Sequence, residues 1–377
     1  MKTEQPLSLV EAFSMISDPR VKGRSTYDLV ELLVISVCGM LCGADNFVDI
    51  VEWANERQDW LKRFMKLENG IPSHDTFGRL FALLDAKEFE SSFRLWVGGI
   101  IPVLAPGTVV AVDGKSSRRS GSKDRRPLQL VSALVTGRGI VLGQEAIREK
   151  SSEITAIPAL LETLVIKGAI VTIDAAGTHA PIAEVIKNRG ADYVLAVKDN
   201  QPKLADSIRD FYEIGKANDW KNVKHDCLET TEKGHGRIET RRYYAFDKLD
   251  CLANPEQWPG LCMFGIVESE RTIKGQTSQE RRFYIGSIPA DAAKMAHAVR
   301  SHWEVENRLH WCLDVCLNDD QSRARVKNSA QNLATVRRIV LNAIRLDNTK
   351  KASIKTKRLL ACSSDTYRQT LLGLGEI

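Results

Sequence analysis

The sequence predicts an α/β fold in which helices flank a mixed β-sheet, with an N-terminal helical domain and a β-rich insertion. Three observations lead to this fold class. Residues 1–104 carry apolar residues at helical spacing, broken by short turns. After a boundary at Pro106-Gly107, short apolar runs alternate with helical segments, as in proteins whose sheet is covered by helices. Residues 203–289 interrupt this alternation with several strand-like runs.

Length and composition indicate a globular protein of two or three domains. The chain has 377 residues, of which 43% are hydrophobic and 27% are charged, as is typical of proteins with a large buried core. The longest apolar run, 32–42, is shorter than the ~20 residues that span a bilayer. The first residues also lack the apolar stretch of a signal peptide. We therefore expect a cytoplasmic protein without a membrane partner.

The cysteine and charge patterns say less about the protein's class than its length and composition do. The eight cysteines include no Cys-x-x-Cys pair, which favours free thiols over a zinc site. The net charge of +5 is uneven, because residues 321–377 contain twelve Lys and Arg against three acidic residues, a net +9. A second basic cluster comprises Lys115, Arg118, Arg119, Lys123, Arg125 and Arg126. Such clusters suit a polyanionic partner, but a solvated tail and a solvated turn explain them equally well.

The N-terminal domain, 1–104, is predicted to contain helices at 27–40, 47–64, 74–84 and 87–103. Asp45 or Asn46 can cap the second of these helices and Ser73 the third. Short helices with tight turns suit a helix-turn-helix-like DNA-binding module or a plain packing domain. The sequence leaves this choice open.

The remaining domains follow from the change in periodicity after residue 104. The first part of the core, 105–202, is predicted to contain strands at 108–112, 128–136, 140–146, 170–173 and 193–197, with helices at 154–166 and 178–188. The β-rich insertion, 203–289, is predicted to contain strands at 240–246, 261–268 and 281–288. The second part of the core, 290–347, is predicted to contain helices from 291 to about 314 and at 329–346. Residues 348–377 are expected to form a basic C-terminal tail.

Two aspartates occupy the ends of predicted core strands. Asp113 ends the apolar run 108–112 and Asp174 ends the run 170–173, and small residues follow both. The carboxyl ends of strands in an open α/β sheet are where ligands bind. Carboxylate oxygens suit Mg²⁺, and two such ions can promote phosphodiester chemistry. An aspartate after a strand is also an ordinary turn or cap residue, so neither residue is decisive alone.

A late helix supplies a third acidic candidate. His302, Glu306, His310 and Asp314 are spaced by four and form one stripe. Trp303, Leu309, Trp311, Leu313 and Val315 are expected to anchor this helix in the core. A zinc stripe is disfavoured, because three ligands on one straight helix would span about 12 Å. We expect a single inward Glu306, with His302 and His310 binding phosphate or supporting it.

Several segments together carry a family resemblance. They are Val110-Ala111-Val112-Asp113-Gly114-Lys115, residues 149–158 (Glu-Lys-Ser-Ser-Glu-Ile-Thr-Ala-Ile-Pro), Ile173-Asp174-Ala175-Ala176-Gly177, residues 192–198, the His302–Val315 segment and Pro72-Ser73-His74-Asp75-Thr76-Phe77. In this order they resemble the bacterial insertion-sequence transposases of the ISAs type, which include the H-repeat-associated proteins. The resemblance covers nearly the whole chain.

This resemblance implies a ribonuclease-H-like catalytic core with a DDE triad. Matched by motif, the triad is Asp113, Asp174 and Glu306, which would be catalytic and would bind Mg²⁺ (or Mn²⁺). Many DDE transposases carry Tyr-x2-Arg-x3-Glu-x6-Lys around the glutamate; here Val299, His302 and Leu313 stand at the other three positions. Residues 198–201 read Lys-Asp-Asn-Gln, where relatives read Lys-Gly-Asn-Gln.

The resemblance also implies double-stranded DNA as the partner, as element terminal repeats and as target. The expected activity is cutting the element ends and joining their 3′-hydroxyls to target DNA, by a homodimer or larger assembly in the bacterial nucleoid. A catalytically inactive remnant that only binds DNA and a ribonuclease-H-like nuclease remain alternatives. Glu149 and Glu153 could mimic a catalytic pair, but supporting or helix-start roles are favoured. The residues expected to contact DNA are Lys115, Arg118, Arg119, Lys198, Asn200, Gln201, His235, Arg237, His302, Asn307 and His310.

Overall fold

A computed structural model describes residues 7–23, 25–123, 125–147, 151–234 and 236–375. Glu149 and His235, which the sequence singled out, lie outside these residues. None of the helices in the described ranges is long and apolar enough to cross a membrane.

Strands throughout the described ranges form one mixed sheet. The strands are β1 (Val109–Ser117), β2 (Leu128–Val135), β3 (Ile140–Ala146), β4 (Ile170–Ile173), β5 (Asp192–Val197), β6 (Asp226–Gly234), β7 (Arg237–Phe246), β8 (Met263–Ile273) and β9 (Gln276–Gly286). Their order across the sheet is β3-β2-β1-β4-β5-β9-β8-β7-β6. Strands β1, β4 and β5 are parallel, and every other neighbouring pair is antiparallel. The predicted mixed sheet is therefore confirmed.

Helices cover the sheet and form the N-terminal layer. They are α1 (Leu9–Ser14), α2 (Leu29–Leu41), α3 (Phe47–Glu56), α4 (Gln58–Leu61), α5 (His74–Leu83), α6 (Ala86–Ile100), α7 (Glu153–Glu162), α8 (Ala180–Asn188), α9 (Pro202–Ala217), α10 (Ala292–His302), α11 (Trp311–Leu317), α12 (Ser329–Leu346), α13 (Ile354–Ser363) and α14 (Asp365–Leu372). Helix α12 packs against α2, α5, α6 and β3. The N-terminal helices and the sheet therefore share one hydrophobic core.

Local capping explains where several N-terminal helices begin. The Asn46 side chain accepts a hydrogen bond from the Asp49 backbone at the start of α3. Ser73 occupies the corresponding position before α5, but its hydroxyl lies 3.2 Å from the Thr76 hydroxyl instead of capping the backbone. The predicted helix 47–64 is divided, because α3 ends at Glu56 and the short α4 follows.

The insertion extends the sheet of the core. Strand β9 pairs with β5, and β8, β7 and β6 follow it outward. On one face, α9 packs Phe211 against Phe246 and Phe264, with ring centroids 5.0 and 5.1 Å away. On the other face, α10 packs against β6 and β7. Neither α9 nor β6 was predicted from the sequence.

The residues expected to form a basic tail instead fold onto the protein. Helices α13 and α14 contact α12, and Lys357 pairs with Asp347 at 3.0 Å. Arg368 is fully buried, with its guanidinium 4.0 Å from the Trp60 ring centroid. Arg337 and Arg338 of α12 are also buried. Much of the C-terminal positive charge is therefore structural, which does not fit the alternative of a solvated tail.

Candidate active site

Two aspartates meet where the parallel pairing of β1 and β4 ends. Val112 lies opposite Ile173 in the last parallel pair, so Asp113 and Asp174 are the next residues on neighbouring strands. Strand β4 stops there, whereas β1 continues to Ser117 against β2. Asp174 follows its strand as predicted. Asp113 lies within a strand, because the pairing with β2 outlasts the pairing with β4, and the expectation that it ends a strand is wrong.

The carboxylate of Glu153, which is not one of the three predicted triad acids, also lies beside these aspartates. Glu153 is the first residue of α7, and a Cβ atom added to Gly114 would collide with its carboxylate. The missing side chain at Gly114 therefore admits Glu153 to the site. Burial and then the charge of Asp174 raise the pKa of Glu153.

The third predicted acid, Glu306, comes from a π-helical segment, Val305–His310, between α10 and α11. The sequence predicts one continuous helix here, so this break in register was missed. Segments of this kind are rare and are often found at functional sites. The Glu306 side chain is 55% exposed. It lines a cleft of about 270 Å³ together with Asp113 and Asp174. The three acids predicted from the sequence therefore share one cleft.

The imidazole of His310 lies between two of these acids. Its Nδ1 is 3.3 Å from Glu306 Oε2 and 3.7 Å from Asp113 Oδ2. Burial lowers the pKa of His310 to about 4, so the ring is neutral near pH 7. A neutral ring with the proton on Nδ1 can donate to Glu306. His310 is only 6% exposed and supports the carboxylates; the expected contact with DNA stays a prediction.

The electrostatics of Asp113 match a site that would accept a cation. Burial raises the pKa of Asp113 to about 7, while the backbone N–H of Gly114 opposes this rise. The neighbouring acids Asp174, Glu306 and Glu153 raise the pKa further. A divalent cation would relieve this repulsion. The acidic groups named here are all carboxylates, which are the ligands that Mg²⁺ and Mn²⁺ prefer.

Lys115 lies near the cleft but is already paired. Its Nζ is 2.7 Å from Asp314, 3.1 Å from Asp320 and 3.8 Å from Asp319. The side chain is only 8% exposed, so these acids occupy its donors. The expectation that Lys115 binds phosphate stays a prediction, and such a contact would have to compete with these ion pairs. The same contacts place Asp314, the last member of the predicted stripe, against Lys115 and not against Glu306.

The loop after Asp174 uses two further residues expected to contact DNA. The Asn200 amide donates to the Ala175 carbonyl at 2.6 Å, and the Gln201 amide donates to the Thr178 carbonyl at 3.0 Å. These bonds hold the backbone next to Asp174. The two amides therefore position the cleft, whereas the exposed Lys198 lines it directly.

The remaining expected contacts lie around the cleft. The imidazole of His302 lines it, with Nδ1 3.0 Å from the Thr172 hydroxyl of β4, and burial lowers the pKa of His302. The Arg118 side chain is 82% exposed and 3.2 Å from Asp320. Arg119 and Asn307 are exposed, and the Arg237 side chain is 46% exposed.

Three residues expected to anchor the Glu306 helix do not do so. Trp303, Trp311 and Val315 are 48%, 56% and 62% exposed, whereas Leu309 and Leu313 are fully buried. Residues two apart on a helix point in different directions, so these five side chains cannot share one buried face. Sequence reasoning also missed that Trp303 is half exposed where it lines the cleft.

Comparisons with known proteins agree with this geometry. Residues 104–343 match the family described as "Transposase DDE domain", and residues 10–97 match the family described as "DDE_Tnp_1-associated". The chain belongs to the DDE transposase family. It is therefore an insertion-sequence transposase, an enzyme that cuts and joins DNA strands. Its core is ribonuclease-H-like, and the family's chemistry uses divalent metal ions.

Individual relatives align over almost the whole chain. Over 371 residues the chain is 37% identical to YncI of Escherichia coli O157:H7, covering 97% of this chain and 94% of YncI. It is 36% identical to the "H repeat-associated putative transposase YhhI" of E. coli strain K12, covering 97% of each. Among solved structures, a piggyBac transposase synaptic complex with hairpin DNA has a TM-score of 0.44 and 12% identity, covering 97% of this chain and 82% of that one.

Proposed function

We propose that this DDE transposase holds Mg²⁺ or Mn²⁺ on Asp113, Asp174 and Glu306, cuts the ends of its element, and joins the 3′-hydroxyls to target DNA. The observation that carries the proposal is the shared cleft. Two neighbouring parallel strands and a π-helical segment direct these three carboxylates into it. Divalent ions held there would activate the attacking oxygen and stabilise the leaving oxygen.

The reaction consists of two phosphoryl transfers. In the first, the oxygen of water bonds to phosphorus, the bond to the 3′-oxygen of the element breaks, and that oxygen takes a proton. In the second, the resulting 3′-hydroxyl bonds to a target phosphorus, its proton is lost, and the target 3′-oxygen leaves and is protonated. Lys198, which lines the cleft, would bind a non-bridging phosphate oxygen. His310 would hold Glu306 in position through its Nδ1–H.

DNA contacts outside the triad are also proposed. Arg118, Arg119, Arg237 and Asn307 expose polar groups and could bind phosphates, while His302 would position the strand at the cleft. We further propose that a homodimer or larger assembly forms on the two element ends, in the cytoplasm and at the nucleoid. DNA binding by the N-terminal helices stays a prediction.

Cleavage of the terminal repeats that flank the gene tests the proposal. Wild-type protein should nick a labelled terminal-repeat duplex in Mg²⁺ or Mn²⁺ but not after chelation. Asp113→Asn should abolish nicking while keeping the fold and DNA binding. Metal-dependent nicking that persists in Asp113→Asn would refute the triad assignment.

The two alternatives give different results in the same assay. An inactive remnant would bind DNA tightly but would not nick it in either metal. One relative, the "Inactive transposase YbfQ" of E. coli strain K12, is 33% identical over 72 residues, which is 19% of this chain. A ribonuclease-H-like nuclease would cut without preference for the terminal repeat.

A further inference from the structure

One face of the insertion carries a cluster of arginines next to the cleft. We define the arginine groove by Arg237, Arg241, Arg271, Arg282 and Arg300, which line a cavity of about 610 Å³. Its lining carboxylates are Glu239, Glu280 and Glu304. The lining groups therefore carry a net positive charge.

The strand register explains why these side chains lie together. Across β7, β8 and β9 one row is Tyr243, Val267 and Arg282, and the next row on that face includes Arg241. Alternate residues of a strand point to the same face of the sheet. The odd-numbered residues of β7 and β8 and the even-numbered residues of β9 therefore share the face that forms the groove. Residues one step along, including Arg242, point to the opposite face.

A buried carboxylate organises the centre of the groove. The Glu239 side chain is only 5% exposed, and Arg271 and Arg237 lie 3.3 and 3.8 Å from it, with Arg241 also in contact. Burial alone would raise the pKa of Glu239, but these three guanidiniums outweigh burial and lower it. Glu239 neutralises one of these three guanidiniums, and Glu232, outside the groove lining, pairs with Arg241 and with Arg300. The remaining charge is held in place before any ligand arrives, which reduces the entropy lost on binding.

The groove is continuous with the catalytic cleft. Arg282, Tyr284, Val299 and Trp303 line both cavities. The Arg282 guanidinium lies 5.2 Å from the Trp303 ring centroid and donates two hydrogen bonds to the Glu280 carboxylate, which hold it in place. A DNA strand whose scissile phosphate lies at the carboxylates can therefore enter the groove directly.

We propose that the arginine groove binds the phosphodiester backbone of the DNA that leads away from the scissile phosphate. The proposal rests on the proposed function, because it assumes that the cleft acts on DNA. Guanidinium groups match phosphate in charge and in hydrogen-bond geometry. Contacts of this kind position DNA without reading its sequence.

The opposite face of the same strands supplies a matched control. Arg242 pairs with Glu229 at 2.5 Å, and Arg281 pairs with Glu213 of α9. Their side chains are 39% and 42% exposed, similar to Arg271 at 45% and Arg282 at 32%. Removing either pair changes the net charge equally, so the two pairs are matched in charge and in exposure but lie on opposite faces.

The test compares the salt dependence of DNA binding for Arg271→Ala/Arg282→Ala and Arg242→Ala/Arg281→Ala. Fluorescence anisotropy is measured with chelator present, so that no strand is cut, on a terminal-repeat duplex and on an unrelated duplex of equal length. Loss of two phosphate contacts should reduce the log–log salt slope by roughly 1.8. We expect this reduction for the groove pair on both duplexes and little change for the opposite-face pair.

A lysine variant and a folding check separate loss of charge from loss of structure. Arg271→Lys/Arg282→Lys keeps both charges and should retain most of the wild-type slope, and circular dichroism checks that each variant folds. Equal slopes for the two alanine pairs, or a loss confined to one duplex, would overturn the groove assignment. Metal-dependent nicking by the wild type is measured separately. Its absence would refute the proposed function, whereas unchanged slopes with nicking intact would refute only the groove.

Discussion

Glu306→Gln should weaken metal binding without disturbing the fold. The side chain is 55% exposed, so the isosteric change buries no new polar group. The glutamine oxygen can still accept a hydrogen bond from His310. Only the negative charge is lost, and with it one of the three carboxylates proposed to hold the metal. The melting temperature without metal should therefore change little.

The expected size of the metal effect follows from linkage. A metal at 100 times its dissociation constant stabilises the folded state by ~2.7 kcal/mol. Unfolding entropy for a chain of 377 residues is roughly 0.8 kcal/mol per kelvin, so the wild-type melting temperature should rise by about 3 °C. A site weakened ~100-fold would be half occupied at the same concentration. Its stabilisation would be ~0.4 kcal/mol, a rise below about 1 °C.

The assay is thermal unfolding with and without Mg²⁺ or Mn²⁺, and Glu304→Gln is the matched control. Glu304 lies two residues earlier and accepts hydrogen bonds from Gly137 and Arg308 at 2.8 and 2.9 Å. It does not line the cleft, so its variant should keep the wild-type metal rise. The reasoning fails if Glu306→Gln keeps the full rise while His310→Ala loses it. The metal would then bind to imidazole.

Three further substitutions test the surroundings of the site. Lys115→Met should destabilise the fold by about 3 kcal/mol in chemical unfolding, because it leaves Asp314 without its cation and removes one of the two cations beside each of Asp319 and Asp320; a change below about 1 kcal/mol would contradict this role. Gly114→Ala should displace Glu153 and reduce nicking more than it reduces DNA binding, and equal losses would argue against a local effect. Burial raises the pKa of Glu90 from 4.5 to about 7, so its ionisation destabilises the folded state as pH rises through this window. Glu90→Gln should remove this destabilisation. The free energy of unfolding of the variant relative to wild type should therefore rise by about 3 kcal/mol between pH 4 and 8. A pH-independent difference would show that the pKa of Glu90 in the folded state is the same as in the unfolded state.

Elements whose ends are marked by local sequence breaks were predicted well. Strand β4 and helix α12 have the predicted limits, and β3 does as well. Each is an apolar or amphipathic run with clear breaks on both sides. The triad could also be located by its motifs, and Asp113 and Asp174 do lie on neighbouring strands.

Features that depend on tertiary partners could not be read from periodicity. Strand β1 continues through Gly114 to Ser117 because β2 offers backbone partners along its whole length. Lys115 belongs to a basic cluster in sequence, yet three acids from a segment about 200 residues later neutralise it. Charge clusters along the chain therefore overestimate basic surface when their partners are distant in sequence.

The Glu306 helix shows a limit of a different kind. Leu309, Trp311, Leu313 and Val315 alternate along the chain, and no helix can bury all four on one face. Leu309 and Leu313, four apart, are the buried ones. Helical geometry alone predicts that the residues between them point outward. The π-helical segment, in contrast, has no sequence signal that we could have used.

The arginine groove follows from a property of sheets that the sequence does contain. An insertion that hydrogen-bonds to the edge of a catalytic sheet inherits the two faces of that sheet. Strand β9 pairs with β5 in a fixed register, with Val194 opposite Gly286, and alternate residues on β9 include Arg282 and Tyr284, which line the cleft. The same alternation continues onto β8 and β7 and places Arg271 and Arg241 on the cleft side. A one-residue shift in any of these pairings would move its arginines to the face covered by α9. Proximity of the groove to the triad is thus a consequence of register, which is why neighbouring arginines on opposite faces form the sharpest test of its role.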